Sequence, residues 1–363
     1  MKFSGKISWR LLIPFILLIL LEIFKFYPHK VESWYSQGVY PGFGMALRKV
    51  FGKLPISIGD LLVTALIIGG LIKLLIFLFS RQAGKWKKVV SWKKAGGLVI
   101  TVIWFYIAFH LFWGLNYYRL GSAHLLKLEL KPYTAQDVDT LMRQIQWRLE
   151  KACSDSLLVE KSKTSDRVKL GNDAMLAYRE ASGQYPFMQF KQISLKPILL
   201  GKLQAYAGYA GYIFPFTGEA HADFYVPNAT LPFTVCHEMA HQLGFGAESE
   251  ANLIGFLAAR ESKNPAFIYS AYAGIHQYAL VELFKMDTIL ARPFIDKIPH
   301  LLKKDLKEQN KFQQEHSSFL QPALDAAYTL YLQGNNQPMG LQSYNRVVAW
   351  LVAFGKKNGW ENI

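Results

Sequence analysis

Apolar positions cluster in three long runs within the first 120 residues, and the rest of the chain shows the mixed periodicities of a folded domain. The first run, Trp9 to about Phe26, contains Leu11-Leu-Ile-Pro-Phe-Ile-Leu-Leu-Ile-Leu-Leu21 and meets Glu22 near its end. The second, Ile58 to Phe79, is interrupted by Lys73, and the third, Ala95 to Tyr117, carries only His110 as a titratable side chain of uncertain charge. About 20 mostly apolar residues suffice to cross a bilayer, so the pattern predicts three transmembrane helices, at about 9–26, 58–79 and 95–117. No small-residue cleavage site follows the first run, which therefore reads as a span and not as a signal peptide. Lys73 and His110 read as a snorkelling lysine and a histidine packed between helices.

Beyond Arg119 the pattern predicts a mostly helical α+β domain over 120–363, separate from a membrane region over 1–119. Thr134 is placed to cap a helix running to about Ala152. A polar loop is expected over 154–166 and a second helix over 171–181. From Ile193 to Tyr225, glycines break up a run of tyrosine, phenylalanine and β-branched residues, which predicts short strands and tight turns. Helical periodicity returns after Asn252 and continues, with a loop at Gly334–Gly340, to a last apolar helix from about Tyr344 to Phe354.

One stretch carries chemistry: His237-Glu238-Met-Ala-His241. Four residues apart on a helix, His237 and His241 share a face and can hold one metal ion, while Glu238 is turned aside to act as a base towards a metal-activated water. Pro232 suits the first turn of that helix, and Gly244 and Gly246 stop it after His241. A catalytic zinc site needs a third ligand, which Glu248 or Glu250 can supply. Glu248 is favoured because Asn252, one helical turn later, can orient a ligating histidine. Near the end, Tyr344 or Arg346 is a candidate to stabilise an oxyanion. The segment Gly218-Glu219-Ala220 is the candidate edge strand for a peptide substrate, with His221 and Asp223 read as its polar face. Cys153 and Cys236 are compatible with a disulfide, although Cys236, beside His237, is more simply a small buried residue.

Charge sharpens the picture once it is divided. Residues 1–119 hold 16 Lys/Arg against 3 Asp/Glu, and residues 120–363 hold 25 against 23. A nucleic-acid binder carries its positive charge on the folded domain, so no nucleic-acid partner is expected. The basic residues instead flank the apolar runs. Lys2, Lys6 and Arg10, and then Arg81, Lys85, Lys87, Lys88, Lys93 and Lys94, place the N-terminus and the second loop in the cytoplasm and the 120–363 domain outside it.

The order of three apolar spans, Pro215-Phe-Thr-Gly-Glu219, Pro232-Phe-Thr, His237-Glu-Met-Ala-His-Gln242, Gly244-Phe, Glu248-x-Glu-Ala-Asn252 and Ser343-Tyr344 resembles the bacterial membrane family known as domain of unknown function 3810. The metal stretch is also similar to gluzincin metallopeptidases, in which a downstream glutamate is the third ligand. That resemblance implies a zincin-like fold, zinc held by His237, His241 and Glu248, and Glu238 as general base. The gap between His241 and Glu248 is shorter than in most gluzincins, which leaves Glu250 open as the alternative. The function expected is a bacterial inner-membrane zinc metallopeptidase, multi-pass and anchored in the lipid bilayer, acting on a peptide or protein. The rival is a membrane sensor or scaffold that keeps the fold without turnover.

Overall fold

The computed structural model describes residues 9–82 and 92–363. Lys2, Lys6, Lys85, Lys87 and Lys88, together with the side chains of Arg10, Arg81, Lys93 and Lys94, lie outside the described residues. The N-terminal part is helical: α1 (Trp9–Lys25), α2 (Pro28–Phe51, with a π-helical stretch over Val31–Val39), α3 (Ile58–Gln82) and α4 (Trp92–Phe112).

Three separate spans are not what these helices form. Among the described residues, by length and composition, Ile58–Phe79 within α3 is the one helix able to cross a membrane, with a second candidate if α1 and α2, bent by 96° at their junction, count as one broken span. The reasons are local. The helix α1 ends at Lys25, whose amine is drawn back to Glu22 Oε1 at 2.8 Å and Tyr106 Oη at 2.6 Å, and the chain turns at Pro28. The third run stops being α-helical at Phe112, and Trp113, Leu115 and Tyr117 are apolar for a different purpose: they are buried in a cluster with Val31, Tyr35 and Tyr40 of α2, from which Trp113 reaches the His241 carbonyl.

That domain contains α5 (Gly121–Leu126), α6 (Ala135–Ala152), α7 (Ser156–Ser162), α8 (Arg167–Gln184), α9 (Gly201–Ala205), α10 (Leu231–Gln242), α11 (Glu248–Arg260), α12 (Pro265–Met286), α13 (Thr288–Asp296), α14 (His300–Glu315), α15 (Gln321–Gly334) and α16 (Val347–Asn358). Thr134 caps α6 as its sequence predicts, in a reciprocal capping box with Asp137. The polar stretch expected to be a loop instead forms α7, started by Asp155, whose carboxylate accepts the Leu158 N–H at 2.9 Å.

The helix α12 is the axle of the core. Its run of Ala, Ser, Tyr and Phe is apolar or small on nearly every side, so it packs at once on α6, α10, α11 and α16. The helices α10 and α11 approach closely, so that a Cβ on Gly255 would sit 2.9 Å from the His237 backbone nitrogen.

The glycine- and aromatic-rich segment yields three short strands, β1 (Leu195–Pro197), β2 (Gly211–Phe214) and β3 (Glu219–Ala222), in the order β1-β3-β2. The strand β3 pairs parallel with β1 (Lys196 opposite His221) and antiparallel with β2 (Tyr212 opposite His221). This overturns the reading of Gly218-Glu219-Ala220 as a substrate edge. A central strand spends its backbone groups on both neighbours and has none to offer a peptide. The polar side chains that suggested an exposed face, Glu219 and His221, are fully buried.

Candidate metal centre

The start of α10 is set by Pro232 in its first turn, and Gly244, at φ +85°, ends it as its sequence predicts. A Cβ at Gly244 would approach Asn116 Oδ1 to 2.8 Å, so the turn needs glycine for space as well as for conformation. The chain then re-enters a helix at Glu248. The N–H of Glu248 donates to Gln337 Oε1 at 3.1 Å, a distant side chain doing the capping that Ala247 cannot do.

This return brings Glu248 against the two histidines. Its Oε2 lies 3.1 Å from His237 Nε2 and 3.5 Å from His241 Nε2, the two Nε2 atoms are 3.1 Å apart, and all three residues are buried. One ligand atom from each of His237, His241 and Glu248 falls within 4.8 Å of the others. The outer ring nitrogens are engaged: His241 Nδ1 donates to the Phe245 carbonyl at 2.7 Å, and His237 Nδ1 meets Asn252 Oδ1 at 2.8 Å. With both Nδ1 atoms protonated in this way, both Nε2 lone pairs and a carboxylate oxygen converge on one point. Such an arrangement of negative ends calls for a cation. Burial alone would lower the His241 pKa, but the Glu248 and Glu238 carboxylates outweigh it and raise it. Burial would raise the pKa of Glu248, and the two histidines override it downwards.

Glu250 serves elsewhere. Its Oε1 accepts from the Ser122 N–H at 2.9 Å and from Ser122 Oγ at 3.0 Å, and it is not one of the three converging residues. The spacing argument for Asn252 corresponds to a direct contact with His237. Tyr344 is half-buried and its ring lies nearly parallel to that of His237, 6.3 Å between centroids, while Arg346 is exposed and is not one of the three converging residues. His221 and Asp223 are not part of the cluster. Cys153 and Cys236 are both free thiols.

Glu238 occupies the remaining side. It lines a cleft of about 820 Å³ together with His237, Asn252, Gly211 and Tyr344. Its Oε2 is buried without a hydrogen-bond partner. Burial pushes its pKa up to about 7, with His237 and His241 holding it from going higher. The strand β2 begins against this carboxylate, and a Cβ on Gly211 would overlap Glu238 Oε1.

Several supporting groups carry no sequence signal. Tyr328, on α15, donates to Glu248 Oε1 at 2.9 Å and lies 3.4 Å from Tyr344 Oη. The carbonyls at the end of α10 and in the turn after it are met by groups from the N-terminal region. Trp113 Nε1 donates to His241 O at 3.1 Å, Arg48 Nη1 and Tyr40 Oη donate to Gln242 O at 2.8 and 3.2 Å, and Arg119 Nη1 donates to Gly244 O at 3.0 Å. Arg48 and Arg119 also put positive charge at the negative end of the helix. The amide of Gln242 ties the same end to the sheet, donating to Ser194 O at 2.9 Å and Gly218 O at 2.7 Å.

The family model described as "Protein of unknown function (DUF3810)" matches residues 35–352. No curated protein and no solved structure matches the chain.

Proposed function

Because the chain belongs to the DUF3810 family, whose description assigns no reaction, we propose from the site itself that it is a membrane-anchored zinc-dependent metallopeptidase with a zincin-like catalytic domain. The observation that carries the reading is the convergence of His237 Nε2, His241 Nε2 and a Glu248 oxygen beside a buried Glu238 that has an unpartnered oxygen. Two imidazoles and one carboxylate, leaving a position open, form a donor set suited to catalytic zinc. When bound there, zinc supplies Lewis acidity, acidifying a water and polarising a peptide carbonyl.

The chain's own residues do the rest. Glu238, with a proton affinity near neutrality, takes the proton from the attacking water and passes it to the departing amine. Asn252 and the Phe245 carbonyl hold the two imidazoles in the tautomer that leaves Nε2 free. The substrate edge moves from β3 to β2. Ala210 O accepts from Asp223 N at 2.8 Å, so by the alternation of an antiparallel pair Gly211 and Ile213 turn their backbone groups away from β3. An extended peptide pairing there passes beside Glu238.

A scaffold without turnover has no use for the buried, unsatisfied Glu238 oxygen, which costs stability. The test is elemental mass spectrometry on the detergent-purified full chain. We expect about one zinc per chain, lost in His237→Ala and Glu248→Ala and kept in Glu250→Ala and Glu238→Gln. The Glu238→Gln variant should keep its metal and lose on the order of 10²–10⁴-fold in peptide hydrolysis. Wild-type protein that takes up no zinc after reconstitution would sink the reading. We further infer a multi-pass protein of the bacterial inner membrane with the site outside the cytoplasm, supported by the basic flanks of the apolar runs.

A further inference from the structure

The base of α3 is clamped to the sheet by a buried polar network that metal binding does not use. The carboxylate of Glu219 on β3 accepts the Gly59 N–H at 2.7 Å and the Ile58 N–H at 3.2 Å, at the positive end of α3. Ser57 Oγ accepts the Asp60 N–H at 2.8 Å and meets His221 Nε2 at 2.6 Å. Asp60 in turn accepts from Tyr212 Oη and, at 2.6 Å, from the Leu199 N–H. Lys196, fully buried on β1, donates to the Leu54 carbonyl just before α3. The sheet is therefore fastened to the point where α3 leaves the domain, and the turn at Leu199 is fastened with it.

From that point outward the surface is apolar. Leu61 and Leu62, the first α3 residues to emerge, are exposed. At the same level Leu199, Leu200 and Leu203 are 54%, 52% and 65% exposed, and Ile56 is 54% exposed. Leucines so exposed together are unusual on a surface facing water. Within 53–62 and 198–203 the exposed charges are Lys53 and Lys202, and the lone acid, Asp60, is buried in the clamp. An apolar collar with lysines and no exposed acid matches the interface of a bilayer with anionic headgroups.

We propose that this collar, Leu199–Leu203 with Ile56, docks on the bilayer surface around the base of α3. The proposal rests on the reading of α3 as a membrane span. The turn that docks also forms one rim of the catalytic cleft, through Ala205, Gly208 and Tyr209. Substrate then enters at the level of the headgroups, which favours polypeptide held at or near the membrane over peptide free in solution.

Site-directed spin labelling of the full chain tests this in nanodiscs of phosphatidylethanolamine and phosphatidylglycerol, on a Cys153→Ser background that leaves only the buried Cys236. Labels go at Leu200→Cys and Leu203→Cys in the collar, at Leu66→Cys within α3 and at the exposed Lys263→Cys. Oxygen should relax the labels at 66, 200 and 203 more than a water-soluble nickel chelate does, and the order should reverse at 263. If 66 is lipid-accessible while 200 and 203 behave like 263, docking is overturned and the span stands. If 66 also behaves like 263, the span reading falls and docking falls with it.

Discussion

Tyr328 shows how single side chains set the quality of the proposed metal centre. The Glu248 carboxylate has one oxygen towards the histidines and the other held by the Tyr328 hydroxyl. Removing that hydroxyl frees the carboxylate to rotate without touching the converging atoms themselves. Tyr328→Phe and Asn252→Ala should each weaken zinc affinity by roughly 10–100-fold, measured by competition with a calibrated chelator. An unchanged affinity in both would mean that the ligands are held by packing alone. A second residue makes a prediction about acid stability. His276, buried on α12 with Nε2 3.0 Å from Gln146 Oε1, has its pKa pushed by burial from 6.5 to about 4. As pH falls below 6.5 the unfolded chain takes up a proton that the folded chain refuses until about pH 4. Stability present above pH 6.5 is therefore lost progressively down to pH 4, by about 3 kcal/mol in all. Denaturant unfolding of His276→Gln across that window should show a pH dependence smaller by about that amount; an identical slope would remove His276 from the account.

At the scale of elements, the helix bearing the histidines was legible because its chemistry is local. Period 3.6 puts His237 and His241 on one face, Pro232 and Gly244 bound the helix, and Glu248 to Asn252 is again one turn. What closes that helix is not local. Its last carbonyls are met by Tyr40, Arg48 and Trp113, which lie 202, 194 and 128 residues away in the chain. No periodicity can announce contacts of that separation. The same holds for β3, whose Glu219 and His221 look in sequence like a wet strand face and are in fact buried against the base of α3. The apolar Trp113–Tyr117 extended the third hydrophobic run for a reason unrelated to lipid, and length alone could not tell the two apart. Trp113→Phe isolates one of these caps, keeping the ring beside His241 and deleting the donor to its carbonyl. It should lower stability by about 1–3 kcal/mol, read by thermal unfolding in detergent, and lower zinc occupancy alongside. A variant as stable as wild type would show that water or Gly244 N, 3.0 Å from the same carbonyl, is cap enough.

For the molecule as a whole, the division at residue 119 suggested by charge is not a division in packing. The composition changes there because the exposed apolar helices and their basic flanks end there, whereas folding units are defined by which backbone groups need which partners. Residues 31–60 supply Arg48 and Tyr40 to the end of the histidine helix, Ile58 and Gly59 to Glu219, and Glu32 to Arg119 in a buried bidentate pair at 2.9 and 2.5 Å. The family match, which begins at residue 35, crosses the charge boundary as well. Cutting the chain at 120 would strand the carbonyls of Gln242 and Gly244 inside the domain and leave the Glu219 carboxylate only the Thr217 hydroxyl, while His241 O would keep Gly244 N. At about 1–3 kcal/mol for each buried group left unpaired, the loss is comparable with the roughly 5–15 kcal/mol that holds a domain together. Residues 120–363 produced alone should therefore lack a cooperative melting transition and bind no zinc, under conditions where the full chain in detergent does both. A truncated domain that melts cooperatively with zinc bound would show that the N-terminal region is an anchor only, and that the histidine helix finds its caps in solvent.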